Sequence, residues 1–399
     1  MHRHRIKGWR RHGRALGAAA MCLLAVPGSA GAWGPAVNVS QGFVRGILDD
    51  NDGVAAGTGA VHSLMYVEDY ANADVSVGYS YSSLGSDATA RTLDKKCDTP
   101  EGIAADGDKV VAICSRGGTW DWRDRALMLY RIEGGRWGSG IEIRGPSRPS
   151  DNSASIAMSG DLVVAAWSDH RNGNITLRRS TDGGRSFEAA ITLGGTTMRT
   201  TPFYGHQFNG RVQVAVRGRQ VYVAWFPTST RTAKGLRPTG IRLRRSSDGG
   251  RTFSAPQSLS SAVGEVTPPS MAATDTGVLI LHATADGRLR LLRSADGGRT
   301  FHATALTAAK GAVGETDLAA SGQEVRVIWR AAEKVLLRRS SDGGVTWSAT
   351  EDTGVARRKD VTINPNVVLF GGDTAVAWSA ADPVWGDLAG AWVNITSTP

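Results

Sequence analysis

The sequence predicts an all-β fold: a single β-propeller of seven four-stranded antiparallel blades, with six as the alternative. Three observations carry that expectation. An eight-residue turn pattern recurs four times, alternating apolar segments end 47 to 58 residues apart, and a segment near the N-terminus supplies a strand that the last blade lacks. The chain has 399 residues, 50 of them glycine and 21% charged, a turn-rich composition suited to an ordered closed β fold.

The turn pattern reads STDGGRSF from Ser180, SSDGGRTF from Ser246, SADGGRTF from Ser294 and SSDGGVTW from Ser340. Each copy follows a short strand such as Ile241-Arg242-Leu243-Arg244. Asp182, Asp248, Asp296 and Asp342 can fold their carboxylates onto turn N–H groups, as short Asx side chains do. The glycine pairs permit positive φ. The closing aromatic (Phe187, Phe253, Phe301 or Trp347) then tucks under the hairpin. A degenerate copy, Glu133-Gly134-Gly135-Arg136-Trp137, is one residue short. These residues resemble the Asp-box, or BNR, repeat of sialidase-like propellers. The resemblance implies that the four aspartates are structural and sit on the face away from ligands.

The seven apolar segments end at Tyr66, Cys114, Trp167, Trp225, His282, Trp329 and Trp378. Strict alternation, as in Val325 to Trp329, indicates strands. The last blade stops after its third strand, 391–397, while Trp33 to Val39 resembles the outer strands Phe253 to Leu259 and Trp347 to Thr353. Pairing that N-terminal strand with the final blade would fasten the ring and cover an exposed edge.

Residues 1–32 read as a signal peptide, leaving 33–399 as the propeller. Arg3, Arg5, Lys7, Arg10, Arg11 and Arg14 form a basic region without an acid, Leu16 to Val26 is apolar but too short to span a bilayer, and Ala30-Gly31-Ala32 offers a cleavage site. The expected location is extracellular or periplasmic. Removing those six bases leaves 40 Lys and Arg against 37 acids, a net charge of +3 rather than +9. A nucleic-acid partner thereby loses its main support. Cys97 and Cys114 remain, and an oxidising compartment would let them pair. Both fall at the same end of adjacent antiparallel strands, which favours the bridge over two buried thiols.

Ligands are expected where the loops vary most. The loop Ser115 to Arg125 carries Arg116, Trp120, Trp122 and Arg123. Asp169 and Arg171 lie in the next such loop, Arg231 in a long basic one, and Trp385 in the last. Trp beside Arg and carboxylates suits sugar recognition, with a flat ring on the sugar and charges on its substituents. The alternative is solvated loops with the tryptophans packed inward. Glu265 and Glu315 end matching Ala-Val-Gly-Glu segments 50 residues apart. With Asp169 they are the candidates for acid–base work, packing or capping being the other explanation.

Sialidases carry an R-I-P or R-L-P motif, an arginine triad, an acid/base Asp and a late Tyr–Glu nucleophile pair. No R-I-P or R-L-P occurs here, and the last tyrosine is Tyr222. The xyloglucan-degrading propellers clamp substrate between two rings, which one ring cannot do. Asp49 to Gly53 misses calcium-loop spacing and the histidines show no zinc spacing, so neither metal nor cofactor is implied. The sequence therefore favours a secreted, non-catalytic propeller that binds a glycan or a surface protein and has no membrane span. An exo-glycosidase of sialidase type with a replaced nucleophile is the competing reading, and a repeat scaffold in a surface assembly the third.

Overall fold

The computed structural model describes residues 37–38, 46–48, 53–69, 74–82, 89–92, 97, 99–116, 125–147, 154–169, 174–195, 212–225, 227, 240–260, 269–284, 286–307, 313–332, 334–356, 365–370, 372–381 and 388–396. Residues 1–32, read from the sequence as a signal peptide, lie outside them. Every regular element described is a β-strand, and neighbouring strands pair antiparallel throughout.

Among the described residues, five sheets have the four-stranded blade form. In chain order, blade 1 occupies 154–195, blade 2 occupies 212–260, blade 3 occupies 270–305 and blade 4 occupies 313–356. Blade 5 takes its first three strands from 366–396, and its outer strand is Val37–Asn38, with Val37 opposite Val393. The expectation of seven, or six, four-stranded blades is corrected by this count of five. The two sheets that precede them in the chain, over 46–92 and 99–147, are five-stranded.

Both departures arise from one strand broken in two. In the first sheet, Gly46–Leu48 and Val54–Gly57 pair successively along the same edge of Ala60–Asp69. In the second, Arg136–Trp137 and Ile141–Ser147 do so along Arg125–Glu133. The second break follows from the short turn Glu133 to Trp137. Gly134 and Gly135 have φ of 57° and 70°, the geometry of a two-residue hairpin. The chain re-enters pairing at once, Arg136 opposite Glu133, and leaves the ladder again at Gly138.

Period-two alternation decides which neighbour each side chain meets. In Glu324–Ala331, Val325, Val327 and Trp329 pack with Leu279 and Leu291 of blade 3. Ile328, on the other face, packs with Val367 and Val376 of blade 5. Comparable apolar layers lie between blades 1 and 2 around Leu177 and Trp225, and between blade 5 and the first sheet around Met65 and Val393. Each fully buried Leu or Val contributes about 1.5–3 kcal/mol. The innermost strands of successive sheets pack side by side, and Val54–Gly57 meets Asn366–Phe370 to complete the circuit.

Inner strands of different blades share no ladder, so side chains join them. Ser155 Oγ accepts from Val214 N at 3.2 Å, Ser270 Oγ donates to the Thr316 carbonyl at 2.9 Å, and Asp317 Oδ2 accepts from Val367 N at 2.8 Å.

A second set of ties comes from arginines just before the recurring turns, doubled in three of the four copies, with Leu292 before Arg293 in the fourth. Consecutive strand residues face opposite neighbours, so one arginine reaches back and the next reaches forward. Arg178, Arg244 and Arg338 donate to the carbonyls of Ile143, Leu193 and Leu306 in the preceding sheet. Arg179 donates to the Gly249 carbonyl of the following hairpin at 2.6 Å, and Arg293 to that of Gly343 at 2.9 Å.

Cys97 and Cys114 form a disulfide, with Cα atoms 6.0 Å apart and a sequence separation of 17. Both are buried. Closing that loop restricts the unfolded chain by about 3 kcal/mol in the chain-entropy model. Cys97→Ser/Cys114→Ser is therefore expected to lose about 3 kcal/mol in urea denaturation. An unchanged midpoint would show that the bridge is stabilised only by the fold already around it.

Candidate functional site

The two ends of the ring differ in construction. At one end, the first glycine N–H of each recurring hairpin donates to a carbonyl in the turn joining the first two strands of its own blade. These bonds run from Gly183 to Asp161, Gly249 to Arg219, Gly297 to Thr276 and Gly343 to Gln323, at 2.8–2.9 Å. Within the hairpin, Asp182 Oδ1 accepts from the backbone N–H groups of Arg185 and Ser186, both at 2.9 Å. Ser180 Oγ also donates to Asp182, and Ser186 Oγ occupies the second carboxylate oxygen. Asp248, Asp296 and Asp342 repeat the arrangement. Hydroxyl donors, with backbone N–H groups behind them, hold all four carboxylates well below the usual range. Gly184, with φ of 83°, lets the turn lie against Leu129 and Val111, where a Cβ would already be tight at 3.3 Å.

The opposite end holds the second-to-third strand connections and the candidates for ligand contact. The Cys97–Cys114 bridge lies at this rim. Beside it Ser115 Oγ donates to Glu101 at 2.5 Å, and Arg116 pairs with Glu142 at 3.2 Å. Arg116 is thus at the rim, with Glu142 as a carboxylate partner. Its strand and the next remain in register to Arg116 opposite Ala126, so the loop between them starts from a cross-linked base. Asp169 ends its strand opposite Asn174 at the same rim. Trp120, Trp122, Arg123, Arg171, Arg231, Trp385 and Glu265 lie outside the described residues.

Glu315 is half-buried at the start of the inner strand of blade 4. Arg330 binds it through both Nε and Nη2, the latter at 3.2 Å. The guanidinium lies where a Cβ on Gly314 would stand, at 2.5 Å from Nε, so the Gly-Glu pair forms a seat for Arg330. A carboxylate gripped by a fork of N–H donors is an ion-pair anchor.

Two residues on stands a titratable group displaced toward neutrality. Asp317 is buried, and that burial pushes its pKa up to about 7, against the pull of hydrogen bonds from Val367 N, Leu318 N and Ser270. The repeated Ala-Val-Gly-Glu segment ends at Glu315 and does not mark Asp317. The available signal was an aspartate leading into an apolar run of an inner strand, Asp317-Leu318-Ala319-Ala320. His282 occupies a position filled by Trp in neighbouring blades; it is buried, with its pKa lowered by burial and Nδ1 3.2 Å from the Ala283 carbonyl. Among the described residues, no group of three His, Cys, Asp or Glu is disposed to hold a metal ion. No described helix is long and apolar enough to cross a membrane.

No protein-family model matches the chain, and no curated protein matches it in sequence. Solved structures do. The polysaccharide lyase Uly1 superposes with a TM-score of 0.57 at 9% identity, over 88% of this chain and 90% of that one. The β-propeller domain of the Trilobed protease from Pyrococcus furiosus gives 0.51 at 9% identity, over 89% and 94%. Trypanosoma rangeli sialidase is similar at a TM-score of 0.47 and 9% identity, over 93% of this chain and 60% of that one. At such identities the first two likenesses concern backbone architecture alone: the chain has a β-propeller fold.

Proposed function

We propose that this chain is an exported, non-catalytic propeller that binds a glycan or a surface protein at the rim bearing the disulfide. The observation that carries the reading is the base of the loop Ser115 to Arg125. Its flanking strand is cross-linked at Cys114 and tied by Ser115 to Glu101 and by Arg116 to Glu142. A recognition loop rooted in fixed strands loses less freedom on binding. Its residues Trp120, Trp122 and Arg123 have the chemistry to stack on a sugar and hold its polar groups. Two further facts favour binding over catalysis. Glu315 is committed to Arg330, and Tyr222, the last tyrosine in the chain, is buried against Gly298 on the hairpin side. Export rests on the basic, then apolar, character of residues 1–32, and a disulfide accords with an oxidising compartment.

Glycan-array binding by the secreted protein is expected to fall at least tenfold in Trp120→Ala/Trp122→Ala. Absence of binding to any glycan or surface partner would refute the reading. Release of fluorophore from a sialic-acid glycoside, abolished in Asp169→Asn, would replace it with the exo-glycosidase.

A further inference from the structure

The hairpin end carries a second site, independent of the rim. Between the hairpins of blades 2 and 3 lies a polar pocket of about 360 Å³, walled by Gln220, Arg245, Ser247, Thr252, Phe253 and Arg299. We propose that it binds a tetrahedral oxyanion, a sulfate or phosphate group, through Arg245 and Arg299.

Arg245 differs from its counterparts in the other blades. In blade 1 Arg179 binds Glu188 at 2.7 Å as well as the next hairpin's carbonyl. In blade 3 Arg293 binds the Gly343 carbonyl, and in blade 4 Arg339 binds Glu351 at 3.0 Å. Among the described residues, the Arg245 guanidinium has no hydrogen-bond acceptor and no ion pair. Sequence explains the vacancy. The residue nine positions on, Glu188 relative to Arg179, is Ser254 in blade 2. The residue twelve on, Glu351 relative to Arg339, is Gln257, whose amide donates to the Arg299 carbonyl at 3.1 Å. Both carboxylates that could neutralise Arg245 are replaced.

Arg299 enters from the blade 3 hairpin, where one of its nitrogens is tied to the Asp296 carbonyl at 2.7 Å. The nearby carboxylates are already occupied: Asp248 and Asp296 spend both oxygens on their own turns. Tyr222 stands directly opposite Arg245 across the strand pair, fully buried, and its hydroxyl has no hydrogen-bond partner. Two guanidinia, the Ser247 hydroxyl and the Gln220 amide, with no free carboxylate, make an oxyanion receptor. The volume exceeds that of a bare anion, and Phe253 gives one apolar wall. A sulfate or phosphate ester of a sugar would fill this space, and free inorganic anion would share its chemistry.

The test is calorimetric titration of the full chain with inorganic sulfate, inorganic phosphate, glucose 6-sulfate and glucose 6-phosphate, ionic strength held constant with sodium chloride. Saturable binding by at least one oxyanion is expected, weakened at least tenfold in Arg245→Gln. Tighter binding of the esters assigns the site to a sugar ester; equal binding assigns it to the free anion. Ser254→Glu restores the carboxylate that blade 1 has at this position, so it should fold at least as stably as wild type and bind at least tenfold more weakly. Arg185→Gln, at the matching hairpin position of blade 1, should bind as wild type does. No saturation with any of the four, or wild-type affinity in Ser254→Glu, overturns the proposal. Neither result bears on the rim.

Discussion

Asp317→Asn is expected to gain stability relative to wild type as pH rises from about 4 to about 7, the gap widening by roughly 4 kcal/mol. The Asp317 carboxyl moves from an ordinary 3.8 to about 7 on folding, chiefly because it is buried. Between those values the folded protein retains a proton that the unfolded chain has released. The unfolded state then binds fewer protons, so stability falls with rising pH. The contribution is complete below 3.8 and gone above about 7. A shift of about three units corresponds to roughly 4 kcal/mol. Asparagine keeps one acceptor for Leu318 N or Val367 N and cannot ionise, so its penalty is constant with pH. His62 works in the opposite sense. Burial lowers it from 6.5 to about 4, so its contribution is present above 6.5 and lost as pH falls toward 4. The wild-type curve mixes both effects, and the difference between the two proteins isolates Asp317. Parallel urea-denaturation curves from pH 4 to 8 would disprove the assignment.

Arg326→Ala is expected to cost about 2–5 kcal/mol, the range for truncating a large side chain in a packed interior. The Arg326 side chain is only 2% exposed. Its Nη1 serves Glu324 at 2.8 Å and the carbonyls of Val325 and Ser340, while Nε donates to Thr374 Oγ1 of blade 5 at 2.9 Å. Truncation would leave acceptors without donors inside the contact between blades 4 and 5 and open a void between apolar layers. The exposed pair Arg217–Asp275 supplies the contrast. Its side chains are 48% and 55% exposed, and Arg217→Ala should change stability by about 1 kcal/mol or less. Equal midpoints for the two variants in urea would rule out a structural role for Arg326.

The propeller architecture was legible because hairpin chemistry and alternation are local properties that repetition amplifies. Ser180-x-Asp182-Gly183-Gly184 specifies its own turn whatever surrounds it, and three further copies report the same unit. Blade form was less legible, because a strand break depends on small differences in turn length. The missing residue in Glu133 to Trp137 was visible, yet its outcome, two short strands on one edge, depends on where pairing resumes. The arginine doublets were written as plainly as the turns. Their meaning needed the next blade, since alternation says that Arg178 and Arg179 diverge but not which carbonyls await them. Asp317 was hidden for a related reason: its neighbours Val367 and Ser270 come from distant chain segments. The grip of Arg330 on Glu315 likewise depends on tertiary contact.

The forward-reaching arginines have a consequence for how such a molecule can change in size. Arg179 and Arg293 offer donors on one side of their unit, and the glycine carbonyls that receive them lie on the other. This is head-to-tail bonding, which contains no instruction to stop. An inserted copy of blade 1 would find a matching partner on either flank. What would resist it is geometry: Val37–Asn38 must still meet its mate at Trp392 and Val393. The angular wedge between successive sheets, rather than their adhesive chemistry, therefore decides when the circle is full.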